Sequence, residues 1–386
     1  MNDRERFKAV VCGEQPDYFP IFSFSGAPGM GGGCMEKTHR RLVQTGMPSH
    51  IGGCSRLGAG VVDVESWRRY WGTTGTISPG FSMARGAEGF RTHRRFENGF
   101  EIIESENGAV TRQVIDNDIT YSMPEYVRHP VRDRRSWEFY KLRMTPKTFI
   151  PPEEFEARCS ALDSRTMPLE VHGAGTYGAM RGMMGPENLS LMLYDDPGLI
   201  HDIAGWIMKN ARRTFRMVER LQPEIFCWGE DLCYNHGMLL SPRQFREYCG
   251  PIYREQCECA EANGVDMVAV DTDGNIEEFT GIAETYGVNA IYPCEVKAGN
   301  DLFALRESHP EFVFLGGLEK ECINEGNEDN IVPEITGKVP ALLEQRRYFP
   351  NGDHGIQPLA TYPGLRKFMS LLHEVCGNPE GEFLRT

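Results

Sequence analysis

The sequence has no apolar run approaching the roughly 20 residues needed to span a bilayer, so functions carried by a membrane-spanning helix are not expected of it. It has no apolar stretch at its start either: Met1-Asn2-Asp3-Arg4-Glu5-Arg6 lacks the core of a secretory signal, which predicts a cytoplasmic protein. Its 12 cysteines include no CxxC pair, so neither a disulfide framework nor a zinc finger is expected. Cys257 and Cys259 fall two apart in a helical pattern, on different faces. Most of the cysteines are therefore expected to be small buried apolar residues. Positive charge is scarce: 41 Lys and Arg stand against 55 Asp and Glu, a net charge of −14. That balance disfavours nucleic acid and anionic membranes as partners, because both are polyanions. It disfavours a polycarboxylate substrate more weakly, since solubility alone accounts for an acidic surface. The glycine-rich stretch 26–33 lacks the GxxxxGK[ST] spacing, and no strand-GxGxxG-helix context surrounds it, so it predicts a loop and no phosphate cradle.

What is present is a regular alternation. Asn2 and Asp3 cap a short helix through Val11, with Gly13 just past its end. Ile21-Phe22-Ser23-Phe24 predicts a first strand, and 59–67 a second short one. Residues 90–122 alternate and contain Glu106-Asn107-Gly108, a hairpin signal, which predicts a small antiparallel insertion or a lid. Residues 130–150 are charged and irregular and give no clear element. From residue 166 onward, strand-length apolar runs (168–172, 224–229, 267–270, 290–292, 312–316 and 347–349) alternate with helical stretches (187–219, 241–263, 276–286, 300–308 and 330–345). Pro186 suits a first helical turn, and Ser241-Pro242 is a cap followed by proline. Alternation of this kind predicts a parallel sheet, and no linker divides the chain, so 1–386 is expected to be a single domain.

The informative feature is the polar residue that closes each run. The runs lead in turn to His172, to Glu230-Asp231, to Asp271-Thr272-Asp273-Gly274, to Glu295, to Glu319 and to Asp353-His354-Gly355. An acidic residue after a strand is often only the cap of the next helix. Six strands in succession ending in Asp, Glu or His predict a shared rim, the edge at which closed parallel barrels place catalysis. Clustered carboxylates repel one another and need protons, a cation or a metal. Asp271, Asp273 and His354 offer two oxygens and one nitrogen to a divalent ion, with a position left open for water or substrate. The alternative is acid–base work, with one carboxylate held protonated by its neighbours. Spacing does not choose between them. His172 and His236 are lone candidates, each expected first as a satisfied structural histidine. Arg181 is a candidate to hold an anionic group, or to pair with a rim carboxylate. The Met180, Met183 and Met184 cluster and the Trp67–Trp71 run are expected to be packing.

Several blocks together resemble the uroporphyrinogen decarboxylase superfamily. They are Arg4-Glu5-Arg6-Phe7 through Gly13-Glu14-Gln15-Pro16-Asp17-Tyr18-Phe19-Pro20, Gly229-Glu230-Asp231 with Leu240-Ser241-Pro242-Arg243-Gln244-Phe245, Asp271-Thr272-Asp273-Gly274-Asn275-Ile276, and Gly352-Asp353-His354-Gly355-Ile356-Gln357-Pro358. The resemblance covers nearly the whole chain and is weakest at 35–150. It implies a (β/α)8 TIM barrel, here with an N-terminal extension and the small antiparallel β insertion at 90–122. Authentic decarboxylases of the family are similar to one another in an arginine-bearing segment after the first strand, which grips the carboxylates of the substrate. Residues 23–35 here contain no Arg or Lys. The other branch consists of methyltransferases that work with corrinoid proteins, whose zinc motif is typically His-x-Cys with a distant Cys. Asp271-Thr272-Asp273 stands where His-x-Cys is expected, and the Asp353-His354 neighbourhood stands where the distant Cys is expected. Oxygen-rich ligation suits polarising an ether, hydroxyl or carboxylate oxygen better than a thiol.

The resemblance thus implies a methyltransferase of the demethylase type. It would move a methyl group from a small methylated substrate, a methoxylated aromatic being one candidate, to the cobalt of a corrinoid (cobalamin) carried by a partner protein. A divalent metal, zinc by family likeness, would be held by Asp271, Asp273 and His354 with Glu295 as a further ligand. Glu230, counted among the catalytic residues, or Glu295 would be a further ligand or a proton donor to the leaving group, and His172, Arg181, Asp231 and Glu295 would contact substrate. A homodimer is compatible with this. Two other functions remain open: a metal-free decarboxylase in which Asp271 or Asp273 stabilises a protonated ring, and a non-catalytic barrel that binds a ligand or a corrinoid protein. A dense rim of ionisable groups is hard to justify without chemistry.

Overall fold

The computed structural model describes residues 1–22, 24, 34, 36–52, 63–115 and 124–385. The glycine-rich stretch 26–33, Ser23 within the expected first strand, 59–62 and 116–122 lie outside the described residues. The opening helix Asp3–Val11 is fixed at its start by a reciprocal cap between Asn2 and Glu5. It buries Phe7 and Val10, and the Phe7 ring stacks at 5.3 Å on Phe349.

The expected insertion is a four-stranded antiparallel sheet of β1 (His93–Glu97), β2 (Phe100–Glu104), β3 (Val110–Val114) and β4 (Glu125–Arg128) in chain order. The turn between β2 and β3 is the one signalled by Glu106-Asn107-Gly108, closed by the Gly108 N–H on the Ser105 carbonyl at 2.8 Å. Gly108 has a φ of +88° and faces the Phe90 ring so closely that a Cβ there would lie 2.8 Å from it, so both backbone and space require glycine.

The second half holds a six-stranded parallel sheet: β5 (Glu170–His172), β6 (Ile225–Gly229), β7 (Met267–Asp271), β8 (Ala290–Tyr292), β9 (Val313–Leu318) and β10 (Tyr348–Gly352). Among the described residues, these six strands are ordered as in sequence, each paired in parallel with the next. Runs such as Met267-Val268-Ala269-Val270 are apolar at every position because helices cover one face of the sheet while the other is packed within the core. The crossover helix Pro197–Leu221 shows the matching pattern, burying Leu199, Ile200, Ile203, Ala204, Ile207, Ala211, Val218 and Leu221 at helical spacing. Beyond the sheet edges, Leu169 pairs in parallel with Ile77, Thr74 with Phe22, and the Asn351 side chain donates to the Phe22 carbonyl at 2.8 Å. Among the described residues, no helix is long and apolar enough to cross a membrane.

Three local expectations are corrected. The stretch from 64 is a helix, Val64–Trp71, and not a strand: Trp67, Tyr70 and Trp71 recur at three and four residues and bury one face, and Asp63 accepts from the Ser66 N–H at 2.9 Å as the cap. The single helical stretch 187–219 is two helices, Pro186–Asp195 and Pro197–Leu221. Asp196 caps the second, and Pro197 cannot continue the first. The unassigned 130–150 contains the helix Arg134–Met144, capped by Asp133 with Ser136. Its charged faces hid an apolar stripe reduced to Trp137 and Tyr140.

Candidate active site

Because the six strands run parallel, their carboxyl ends share one edge, and the residues that follow them meet there. Strand register decides which side chains share a face. His172 lies opposite Cys227, Cys227 opposite Ala269, Gly229 opposite Asp271, and Asp271 opposite Tyr292. With a two-residue repeat, Glu170, His172, Cys227, Ala269, Asp271 and Tyr292 therefore project to the same side of the sheet.

Asp271 ends β7. Solvent reaches it, yet protein surrounds it, as expected of a side chain at the floor of a concavity. Loss of solvation there, reinforced by the negative charges of Asp273 and Asp231, raises its carboxyl to about 7, against the pull of His354 and His172. Asp273 goes the other way. Burial would raise it, but the hydrogen bond and charge of His354, with the charges of Lys320 and Arg181, outweigh burial and lower it. His354 Nε2 lies 3.5 Å from Asp273 Oδ1, and this contact raises the imidazole. Gly274, with φ +85° and a Cβ position 2.6 Å from the Tyr234 backbone, makes the turn that carries the chain past Asp273.

Around this pair stand ordered charges. Glu295 accepts the Gly274 N–H at 2.9 Å and faces Lys320 Nζ at 3.4 Å. Buried Asp353 accepts the backbone N–H groups of Val296 and Lys320 at 2.9 and 3.0 Å and lies 3.6 Å from Lys320 Nζ. Asp231, held at φ +45°, pairs with Arg181, which stands on the helix Thr176–Met184. Glu230 sits beneath that helix. Its two oxygens accept the Thr176 and Gly178 N–H groups, both at 2.8 Å, as an anion at a helix start does. Complete burial raises it to about 7, against those hydrogen bonds. With both oxygens engaged by the backbone, Glu230 is arranged to hold the helix that carries Arg181. His236 stands apart, edge-on to the Tyr234 ring.

The structure thus brings Asp271, Asp273, Asp231, Arg181, His354 and Glu295 to one edge, and it supplies Lys320, which sequence reasoning missed. The expected metal set fits poorly. A neutral histidine that ligates through Nε2 carries its proton on Nδ1. In His354, however, Nδ1 accepts the Gly355 N–H at 2.7 Å, while Nε2 is turned to Asp273. Glu295 is already engaged by a backbone N–H and a lysine. A different group, Glu170 with His172 and Cys227, brings three potential ligand atoms within 4.8 Å of one another. His172 and Glu170 are two apart on one strand and so share a face, a signal readable in sequence. The register that brings Cys227 beside them was not.

No family model and no curated protein sequence matches the chain. Among solved structures, a methyltransferase from Methanosarcina mazei aligns over 97% of this chain and 99% of its own, with a TM-score of 0.57 at 11% identity. At that identity the likeness is one of fold.

Proposed function

We propose that the chain is a methyltransferase that takes a methyl group from oxygen on a small substrate and passes it to a corrinoid carried by a separate protein. The parallel pairs Phe22–Thr74 and Ile77–Leu169, with the bond from Asn351 to Phe22, support a sheet closed into the eight-stranded barrel expected from sequence. The fold likeness to a methyltransferase supports the reaction class.

The observation that carries the reading is the divergence of two neighbouring carboxyls, Asp271 raised to about 7 and Asp273 lowered beside His354. When a methyl–oxygen bond breaks, the departing oxygen keeps the electron pair and needs a proton. Asp271 retains its proton up to near-neutral pH at the floor of the concavity, as a general acid must. Asp273 stays ionised beside His354, and its negative charge favours the protonated form of Asp271 against the opposing pull of the imidazole. Arg181, paired with Asp231, orients an acidic group on the substrate. The corrinoid, when the partner brings it, supplies the nucleophile that receives the methyl group.

The test is methyl transfer from methoxylated aromatics to a free or protein-bound corrinoid, followed by the spectrum of the methylated product. Asp271→Asn is expected to lower turnover by about 100-fold or more, with the wild-type rate falling as pH rises past 7. A rate that rises through that range, or is unchanged in Asp271→Asn, removes Asp271 as the donor. Failure of every methoxylated substrate and corrinoid tested removes the reaction.

A further inference from the structure

We infer that Glu170, His172 and Cys227 form a zinc site with three protein ligands, on the same face of the sheet as Asp271 and about one strand repeat below it. The three come from adjacent strands whose register fixes them on one face. His172 Nε2 lies 3.1 Å from Glu170 Oε1, and His172 Nδ1 lies 3.8 Å from the Cys227 sulfur. All three donors fall within the 4.8 Å that a single ion spans. Glu170 is fully buried, and its other oxygen, Oε2, accepts the Thr76 hydroxyl at 2.7 Å. That bond fixes the carboxylate plane and leaves Oε1 turned to the histidine, the outer-sphere support that metal-binding carboxylates have.

The donor set selects the ion. One oxygen, one imidazole nitrogen and one thiol suit zinc, whereas magnesium and calcium take oxygen alone. Three protein ligands leave a fourth position for water or substrate, the mark of a catalytic site and not of a closed structural one. Ions have a route in, because the His172 side chain is 56% exposed and edges a cavity of about 470 Å³ lined also by Val171, Arg213 and Met217. To ligate, Cys227 must give up its thiol proton. Binding replaces that proton with the ion, forming a sulfur–zinc bond and releasing the proton to solvent. This site uses none of the residues invoked for proton donation, and it stands or falls separately from the methyl-transfer reading.

The experiment strips the full chain with a chelator, reloads it with zinc alone or cobalt(II) alone, and counts bound metal per chain. The expected result is about one ion per chain, a cobalt–thiolate charge-transfer band in the near ultraviolet, and proton release on loading. Cys227→Ser and His172→Ala lose the ion and the band, Thr76→Val weakens binding by about 10- to 100-fold, and Asp273→Asn and His354→Gln keep both. His172→Ala replaces a solvent-exposed side chain, so it remains informative if the buried Cys227 variant fails to fold. No uptake by the wild type, a band that survives in Cys227→Ser, zinc retained in His172→Ala, or zinc lost with Asp273→Asn would each overturn the site.

Discussion

Replacing Glu230 by glutamine isolates one buried charge whose effect on stability has a definite sign. Glu230 is 1% exposed, and its carboxyl rises from 4.5 to about 7 on folding, chiefly through burial. Between those two values the folded chain holds a proton that the unfolded chain has released. The folded state is therefore favoured below the unfolded value, and that contribution is lost as pH climbs through 7. The raised carboxyl contributes about 2–3 kcal/mol at about pH 5 and almost nothing at about pH 8, because a tenfold change in proton affinity is worth about 1.4 kcal/mol. Glu230→Gln does not titrate. Its amide turns a donor toward one of the Thr176 and Gly178 N–H groups, so the variant is less stable than the wild type at pH 5. That gap then closes by about 2–3 kcal/mol between about pH 5 and 8. Urea unfolding at both pH values, analysed with a common m-value, measures the gap, and all other titrations cancel in the comparison. A gap that does not change with pH would mean that the two backbone N–H groups keep Glu230 ionised throughout, refuting burial as the dominant influence.

The charges nearer the rim respond to substitution as well. Asp273→Asn removes the hydrogen bond and charge that raise His354, so the imidazole should titrate lower, toward its ordinary 6.5, in an NMR titration; an unchanged midpoint would show that the 3.5 Å contact is not the cause. Lys320→Met strips buried Asp353 of its nearest cation while leaving both backbone N–H bonds, which is expected to destabilise the chain by about 1–3 kcal/mol and lower the melting temperature. Zinc bound at Glu170, His172 and Cys227 adds positive charge near Asp271, so the upper limb of the pH–rate profile should move to lower pH in the zinc-loaded enzyme. A limb in the same place with and without zinc would separate Asp271 from the metal.

The parallel sheet was legible because each strand is an apolar run with a polar residue at its end, a pattern set by burial on both faces and by a shared edge. The gathering of Asp271, Asp273, Asp231, His354 and Glu295 at that edge was legible for the same reason. The role of Glu230 was not. Only the three-dimensional return of the chain places Thr176 and Gly178 N–H groups over its oxygens, and Gly175 allows that approach, since a Cβ there would lie 1.8 Å from the Gly229 carbonyl. Lys320 was missed because a lysine two residues past a strand looks like any solvated charge until Asp353 and Glu295 are seen on either side of it. The helix Val64–Trp71 was misassigned because Val-Val-Asp-Val at its start favours a strand locally, while the three aromatic residues that bury one side come later and have helical spacing.

Strand parity places Cys227 and Asp271 on one face of the sheet at different heights. Cys227 is level with Ala269, two residues below Asp271 on the neighbouring strand, which separates the thiol from the carboxylate by roughly 6–7 Å along the strand direction at about 3.3 Å per residue. Thr272 turns away from the cleft and accepts the Leu232 and Cys233 N–H groups on its hydroxyl, and the chain returns Asp273 to the cleft only through the glycine turn beyond it. The Asp-Thr-Asp spacing therefore provides one carboxyl by strand parity and a second by loop geometry, in different electrostatic surroundings. That is why Asp271 keeps a proton while Asp273 pairs with an imidazole.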